Sequence, residues 1–431
     1  MFRIPLLRLS KTPFQMLWQT NSSVLFCALI ALAFSSPRSS YGQVISFQDG
    51  TTTKGKLLEL NAKQILFAPL PKLAEGGADN RPEKVPNDSM LRFGHPPQVR
   101  QLDSVVFNNG SMLACVVLTV SPQEIKIRSR LFELESIPTR LCRGIILREY
   151  AHPKTNRKFL DQLLFDPPSD WTAELMNGDI AVGKLARSAP TSAIAIEREK
   201  SVRVIELDRI RCLRFPGVPQ YSSPDPRSLS FLALDDGSRF VCQGLKMDET
   251  HATVNITSTY SIRAPLSIRR RSFAERIVYW QPANAKVRFL SSDQPLKVVD
   301  GSSRSFRKTR LNRASDGGPL MSGGIPYDFG IGTQGPTQVI FPIMSNDKLF
   351  RVTAAFNDSH YPIGNVTVRV LLLKDKWLPD VRRFELDAKD KPQSIEVDVS
   401  GCRAIGLVTS AGKRGTAGDQ VNWLDARIYQ Q

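Results

Sequence analysis

Cysteine, histidine and long apolar runs are all scarce in this chain, and each scarcity removes a class of protein. Six cysteines and four histidines are spread over 431 residues. His95, His152, His251 and His360 stand apart, with no His-x-x-x-His or Cys-x-x-Cys spacing to assemble a zinc site. A Gly-x-Ser-x-Gly elbow and a phosphate-cradling glycine loop are also missing, so neither a nucleophile nor a cofactor is indicated. A glycosidase needs two carboxylates at a set separation, but no recognisable catalytic module surrounds any candidate pair. The expectation is a chain without catalytic residues, cofactor or metal.

The apolar stretch Val24 to Phe34 is preceded by Arg3, Arg8 and Lys11 and followed by small residues at Ser40 and Gly42. Eleven residues fall short of the roughly 20 that cross a bilayer. This pattern predicts a secretory signal over residues 1–42, cleaved before Gln43, and no transmembrane segment afterwards. The expected location is secreted, periplasmic or at the cell surface. Four of the seventeen excess positive charges lie in that signal, which leaves +13 on the mature chain. Such a charge draws anionic polymers, acidic polysaccharides among them.

Without Cys27, five cysteines remain: Cys115, Cys142, Cys212, Cys242 and Cys402. An odd number cannot all pair in a monomer, so disulfides are not the main scaffold. Buried free thiols and a partial set of bridges both fit.

What the chain does have is repetition. Between Val44 and Trp280 four segments end a short apolar strand on Asp49-Gly50, Asn109-Gly110, Asn177-Gly178 and Asp236-Gly237. These dipeptides favour tight hairpins, whose central positions need positive φ. Five residues beyond each turn glycine comes a small residue, Gly55, Cys115, Gly183 and Cys242. A small side chain there suits a bent strand or a close backbone approach. Each unit of about 50 residues reads as a small β-barrel or meander, with units one and two over 43–153 and units three and four over 166–284. The stretches 69–97 and 215–226, rich in Pro and Gly, read as irregular excursions. One helix is predicted over 155–165, with Thr155 as its cap and Phe159, Leu160, Leu163 and Leu164 on one face. The strand, turn and glycine order resembles the opening of Sm-like and SH3-like small barrels, which would imply RNA or peptide binding. The units lack the aromatic platform on which bases stack, so no nucleic-acid partner is expected. A stalk or spacer of repeated units is the simpler expectation.

From Val287 the strands lengthen. Segments 337–343, 349–356, 366–373, 393–399 and 404–409 carry strand patterns without an intervening helix, which indicates an antiparallel sandwich over 285–431. The blocks Val287 to Ser291, Phe329 to Gln334, Lys374 to Lys376, Asp398 to Gly401 and Asp419 to Arg427 resemble the NPCBM family of carbohydrate-binding modules. That resemblance implies a galactose-binding-like jelly roll attached to glycan-cutting or surface proteins. Where the family carries His after its Gly-x-Gly segment, this chain has Gln334, followed by Gly335. Sugar recognition needs an aromatic face and planar polar groups. The candidates are Tyr327 with Asp328, Gln334, Asp375 with Trp377, and Trp423 with Asp425.

The expected whole is an all-β protein: repeated small units followed by a jelly-roll sandwich that binds polysaccharide or another glycan without catalysis. A structural or protein-interaction module of the cell envelope, with protein partners in place of sugar, is the alternative. An enzyme hidden in 43–284 is the weakest.

Overall fold

The computed structural model describes residues 43–61, 63–70, 81–96, 103–150, 152–186, 191–199, 201–217, 225, 227–268, 271–301, 308–358, 364–416 and 418–431. The predicted signal, His360 and much of the two irregular excursions lie outside the described residues.

Four turns set up the N-terminal half. Gly50, Gly110, Gly178 and Gly237 have φ of +88°, +81°, +90° and +96°, a region that only glycine occupies without strain. The residue before each closes the turn with its own side chain. Oδ1 of Asp49, Asn109, Asn177 and Asp236 accepts the amide of Thr51, Ser111, Asp179 and Ser238 at 2.8, 3.0, 3.1 and 2.8 Å.

The small residue five positions on is a hinge. Gly55 is paired with Gln43 on one strand and Pro69 on the next, and a Cβ there would lie 2.3 Å from Ala68 O. In unit two the second strand breaks at the fully buried Cys115, between Met112–Ala114 and Val116–Val120. Its first half pairs with strand one and its second with strand three. A larger side chain would block this change of partner.

Units two, three and four then follow one route, and unit one enters its last strand through a turn at 87–89 instead of a 3-10 turn. In unit two, Glu124–Arg128 and Ser136–Pro138 lead through the 3-10 turn Thr139–Leu141 into Cys142–Ile146, which returns to pair with the first strand, Ser104–Phe107. Unit four repeats this order from Ser230–Leu234 to Ile277–Gln281. These are bent meanders, and their sheets do not close into barrels.

The units do not follow one another in space as they do in sequence. The last strand of unit one pairs with that of unit four (Phe93 opposite Trp280), and that of unit two with unit three (Ile145 opposite Leu213). Second strands join units two and four, Met112 opposite Arg239. The result is one 16-stranded sheet with the units in the order three, two, four, one, over a core that all four share. This is not a stalk built in chain order.

The helix runs Pro153–Phe165 and is capped by His152, whose Nδ1 accepts the Lys154 amide at 3.2 Å, instead of by Thr155. Proline in the first turn forfeits no hydrogen bond, which lets the helix start earlier than predicted. Phe159, Leu163 and Leu164 pack on Val106, Met112, Ile146 and Cys212. All five cysteines are buried free thiols. Burial pushes the thiols of Cys115, Cys212 and Cys242 up to about 12, which keeps them protonated and inert.

The C-terminal half is a jelly-roll sandwich of two antiparallel sheets. One contains Gly330–Gln334, Gln420–Gln430, Asp347–Phe356 and Gln393–Asp398 in that order. The other contains Lys297–Asp300, Thr337–Pro342, Ala404–Ala411, Asn365–Leu373 and Trp377–Asp387. Alternate residues of both meet in a core around Phe341, Phe350 and Trp423. The strand Val287–Phe289, which pairs with Gln420–Gln430, is anchored by the buried Arg288, which bridges Asp293 and the fully buried Asp347.

The two halves are locked together. Arg92 of unit one reaches Asp425 of the sandwich at 2.7 Å, both side chains 9% exposed, and its guanidinium stacks 4.8 Å from the Tyr327 ring. Asp425 sits in a bulge of its strand with φ +49°, a conformation that Asp tolerates better than most residues and that carries its carboxylate out of the ladder. Arg239 of unit four pairs with Asp328 at 2.7 Å, and Phe231 meets Phe329 edge to face at 5.3 Å. Replacing Arg92 by Met alone should strand a buried carboxylate and cost about 3–5 kcal/mol in urea unfolding of the full chain. The double change Arg92→Met, Asp425→Asn should recover a large part of it, and an additive cycle would show that the pair is not coupled.

Candidate functional site

The sugar-contact candidates fall into three places. Tyr327, Asp328 and Asp425 converge at the joint. Tyr327 lies beneath Arg92, Asp328 holds Arg239, and Asp425 holds Arg92. Trp423 is wholly buried, with Nε1 donating to Thr409 Oγ1 at 3.3 Å. A ring with no exposed face cannot stack on a pyranose, so Trp423 is corrected to a core residue and its neighbour Asp425 to a joint residue.

Gln334 is also interior, 3% exposed, its Nε2 donating to Thr416 O at 3.0 Å. It stands at one end of a polar layer that includes Asn365, Asp419 and Gln420, all buried. Asp419 Oδ1 accepts the Asn365 amide at 3.3 Å, and its Oδ2 has no partner among the described residues. Both polar atoms of the Gln420 amide are likewise unpartnered. These side chains are all buried, and Gln334 belongs with them instead of to a surface.

Asp375 and Trp377 remain at the surface, on the outer face of the second sheet. Trp377 is 38% exposed and lies opposite Leu373 across its strand pair. The indole lies against the sheet over Gly406, where a Cβ would be in ordinary contact with the ring at 3.6 Å and with Leu371 Cβ at 3.4 Å. Ile340 and Leu371 flank Gly406 across the neighbouring ladders, and with Leu373 they continue the apolar strip. Asp375 is fully in solvent, 3.4 Å from Arg403.

Two further residues on this face escaped sequence reasoning. Asp380 has φ +56° in a bulge between Leu378 and Arg382, and its Oδ1 approaches Arg369 Nη1 at 3.6 Å, too long for a hydrogen bond. Arg369 Nε and Asp380 Oδ1 are buried atoms without hydrogen-bond partners among the described residues. Arg369 is four residues from Leu373 on one strand, about 13 Å along it. An apolar ring at one end and a partly exposed guanidinium and carboxylate at the other are the kinds of group that fix the C–H face and hydroxyls of a sugar. The segment Trp377 to Asp387 carries no glycine, and Pro379 is its one sequence mark of an edge or bulge.

Histidines play local parts: His152 caps the helix and His251 lies 3.1 Å from Glu133. His95 is driven down to about 4 by burial and the charge of Arg92. Among the described residues no three His, Cys, Asp or Glu side chains gather as a metal site, and no helix is long and apolar enough to cross a membrane.

Burial raises Asp419 to about 6, so the folded chain favours its protonated form. The stabilisation this gives is complete below pH about 4 and is lost as pH rises through the folded value. Asp419→Asn should therefore raise the Tm at pH 7 and leave it unchanged at pH 4. An equal Tm at pH 7 would mean that the carboxyl is charged without penalty.

Residues 287–429 match the model of the NPCBM/NEW2 domain. Among solved structures, the CBM51 of a Clostridium perfringens GH95 protein in complex with methyl-galactose is similar at 16% identity and TM-score 0.29, over 33% of this chain and 99% of that one. A Clostridium perfringens ZmpB fragment, CBM51-2 with INT domains and GlcNAc, aligns at 16% identity and TM-score 0.29 over 42% of this chain and 36% of its own length. The tandem CBM51 modules of a Streptococcus pneumoniae family 98 glycoside hydrolase align at 10% identity and TM-score 0.30, over 60% of this chain and 88% of theirs. No curated protein matches the chain. Its sandwich, over residues 287–429, is an NPCBM/NEW2 domain, a carbohydrate-binding module by family.

Proposed function

We propose that this is a secreted, non-catalytic protein that binds polysaccharide through the outer face of its sandwich, with the β-units of 43–153 and 166–284 as the carrier. The observation that supports this reading is Trp377, half-exposed against Gly406 on an apolar strip, with the incompletely satisfied Arg369 and Asp380 on the same sheet. The ring supplies an apolar platform for a sugar face, and the polar pair supplies a donor and an acceptor for hydroxyls. The basic chain adds long-range attraction for acidic polymers.

A second reading keeps the sandwich as an envelope assembly module that binds protein. The engagement of Tyr327, Asp328 and Asp425 by the β-units favours it, since those groups already serve a protein contact.

Glycan arrays and polysaccharide pull-downs with the full chain separate the two. Trp377→Ala should weaken glycan binding by about tenfold or more, from the loss of roughly 1–3 kcal/mol of ring contact, with an unchanged Tm. Asp380→Asn should weaken it less. Absence of binding to every neutral and acidic glycan would sink the sugar reading, and so would binding indifferent to Trp377.

A further inference from the structure

The second strands of the β-units do not all meet a neighbour just beyond their turn glycines. In units two and four this stretch is buried at a junction, where Met112 lies opposite Arg239 and both Ser111 and Ser238 are wholly removed from solvent. The junction is nearly two-fold in its chemistry. Ser111 Oγ accepts the Val241 amide at 2.9 Å, and Ser238 Oγ accepts the Ala114 amide at 3.1 Å. Asn109 Nδ2 also reaches across, donating to Val241 O at 2.8 Å. In unit one the matching carbonyl, Lys54 O, already accepts the Leu70 amide of the same unit at 2.8 Å.

Unit three shows no partner at this edge among the described residues. Ile180, the counterpart of Met112 and Arg239, is 59% exposed, and Asn177 and Asp179 of its turn are exposed beside it. The Leu175 amide donates to Asp179 O to close the hairpin, so the alternation of an antiparallel ladder turns the amides of Ile180 and Val182 away from Trp171–Leu175. On that outward side the first described pairing is Lys184 with Glu197.

The open edge carries the groups of the inner junction. Asn177 stands where Asn109 does; its Nδ2 uses one N–H on Asp179 Oδ2, at 2.8 Å, and has a second to donate. Asp179 stands where Ser111 and Ser238 do, with an oxygen that can accept an amide. Unit three also gathers exposed apolar side chains. Met176, Ile180, Val202 and Val204 are exposed there, against Leu70 in unit one, Leu118 in unit two and none in unit four among the described residues. An apolar open edge is a template for pairing with another chain.

A junction of two-fold chemistry needs the same groups on both sides, and a second copy of unit three supplies them. We propose that the protein forms an isologous dimer through this edge, with Ile180 opposite Ile180 of the partner subunit. Each Asp179 then accepts the Val182 amide across the axis, and each Asn177 donates to the Val182 carbonyl. Isologous contacts close on themselves, so association stops at two.

Sedimentation equilibrium of the full chain over a range of concentrations tests this, and a monomer–dimer equilibrium without larger species is expected. Ile180→Glu, at a solvent-exposed position, should weaken the dimer at least about tenfold and leave the Tm unchanged. Ile180→Cys alone should give a disulfide-linked dimer under mild oxidation, because the two-fold sets residue 180 opposite its own copy. The unsubstituted chain, whose described cysteines are all buried, should not cross-link. A monomer at every concentration, open-ended association, a dimer indifferent to Ile180→Glu, or a dimer that Ile180→Cys does not cross-link would each overturn the proposal. Cross-linking by Val202→Cys and not by Ile180→Cys would also overturn it, placing the contact on the strand Ser201–Glu206.

Discussion

The Arg92–Asp425 pair is the constraint on which the arrangement of the two halves depends. Two opposite charges, both nearly removed from solvent, lie 2.7 Å apart across the joint. Desolvating either alone would be expensive, so the pair holds only while both halves keep their register. Tyr327 covers the guanidinium, and the aromatic group of Phe231, Phe289 and Phe329 excludes water beside it. Low local dielectric then strengthens the attraction that the burial demands.

That joint changes what an NPCBM/NEW2 domain does in this chain. Its Trp423–Asp425 segment builds core on one side and a protein contact on the other. The outer face of the second sheet, which points away from that core, keeps an exposed indole and the partly exposed Arg369 and Asp380. The carrier is itself a consequence of edge pairing. Each meander has an open edge at its last strand, and antiparallel pairing of such strands joins one to four and two to three. Pairing open edges within one chain removes sites for aggregation.

Much of the fold was legible because it rests on local rules. The four turn glycines and the Asx residues before them act within five residues, and Gly55 and Cys115 mark bends by their size alone. Period-two alternation disclosed the strands of the sandwich. The helix start slipped by two residues because His152 is an uncommon cap. Of the sugar-contact candidates, only Asp375 and Trp377 stand free of the joint and core. The others have sugar-binding chemistry, but their partners lie far away in the chain: Arg92 is over three hundred residues from Asp425.

By itself, then, the sequence determined an all-β chain of repeated small barrel or meander units followed by a sandwich, because turn geometry, side-chain size and strand alternation act between near neighbours. Only the tertiary structure decided that the units join in the order three, two, four, one, and that Asp328 and Asp425 pair with arginines. It also decided that Arg369 and Asp380 share a face with Trp377. Strand-edge pairing and buried charge pairing are both satisfied by many partners of the right type, and the physical choice among them is made by packing, which local pattern does not encode.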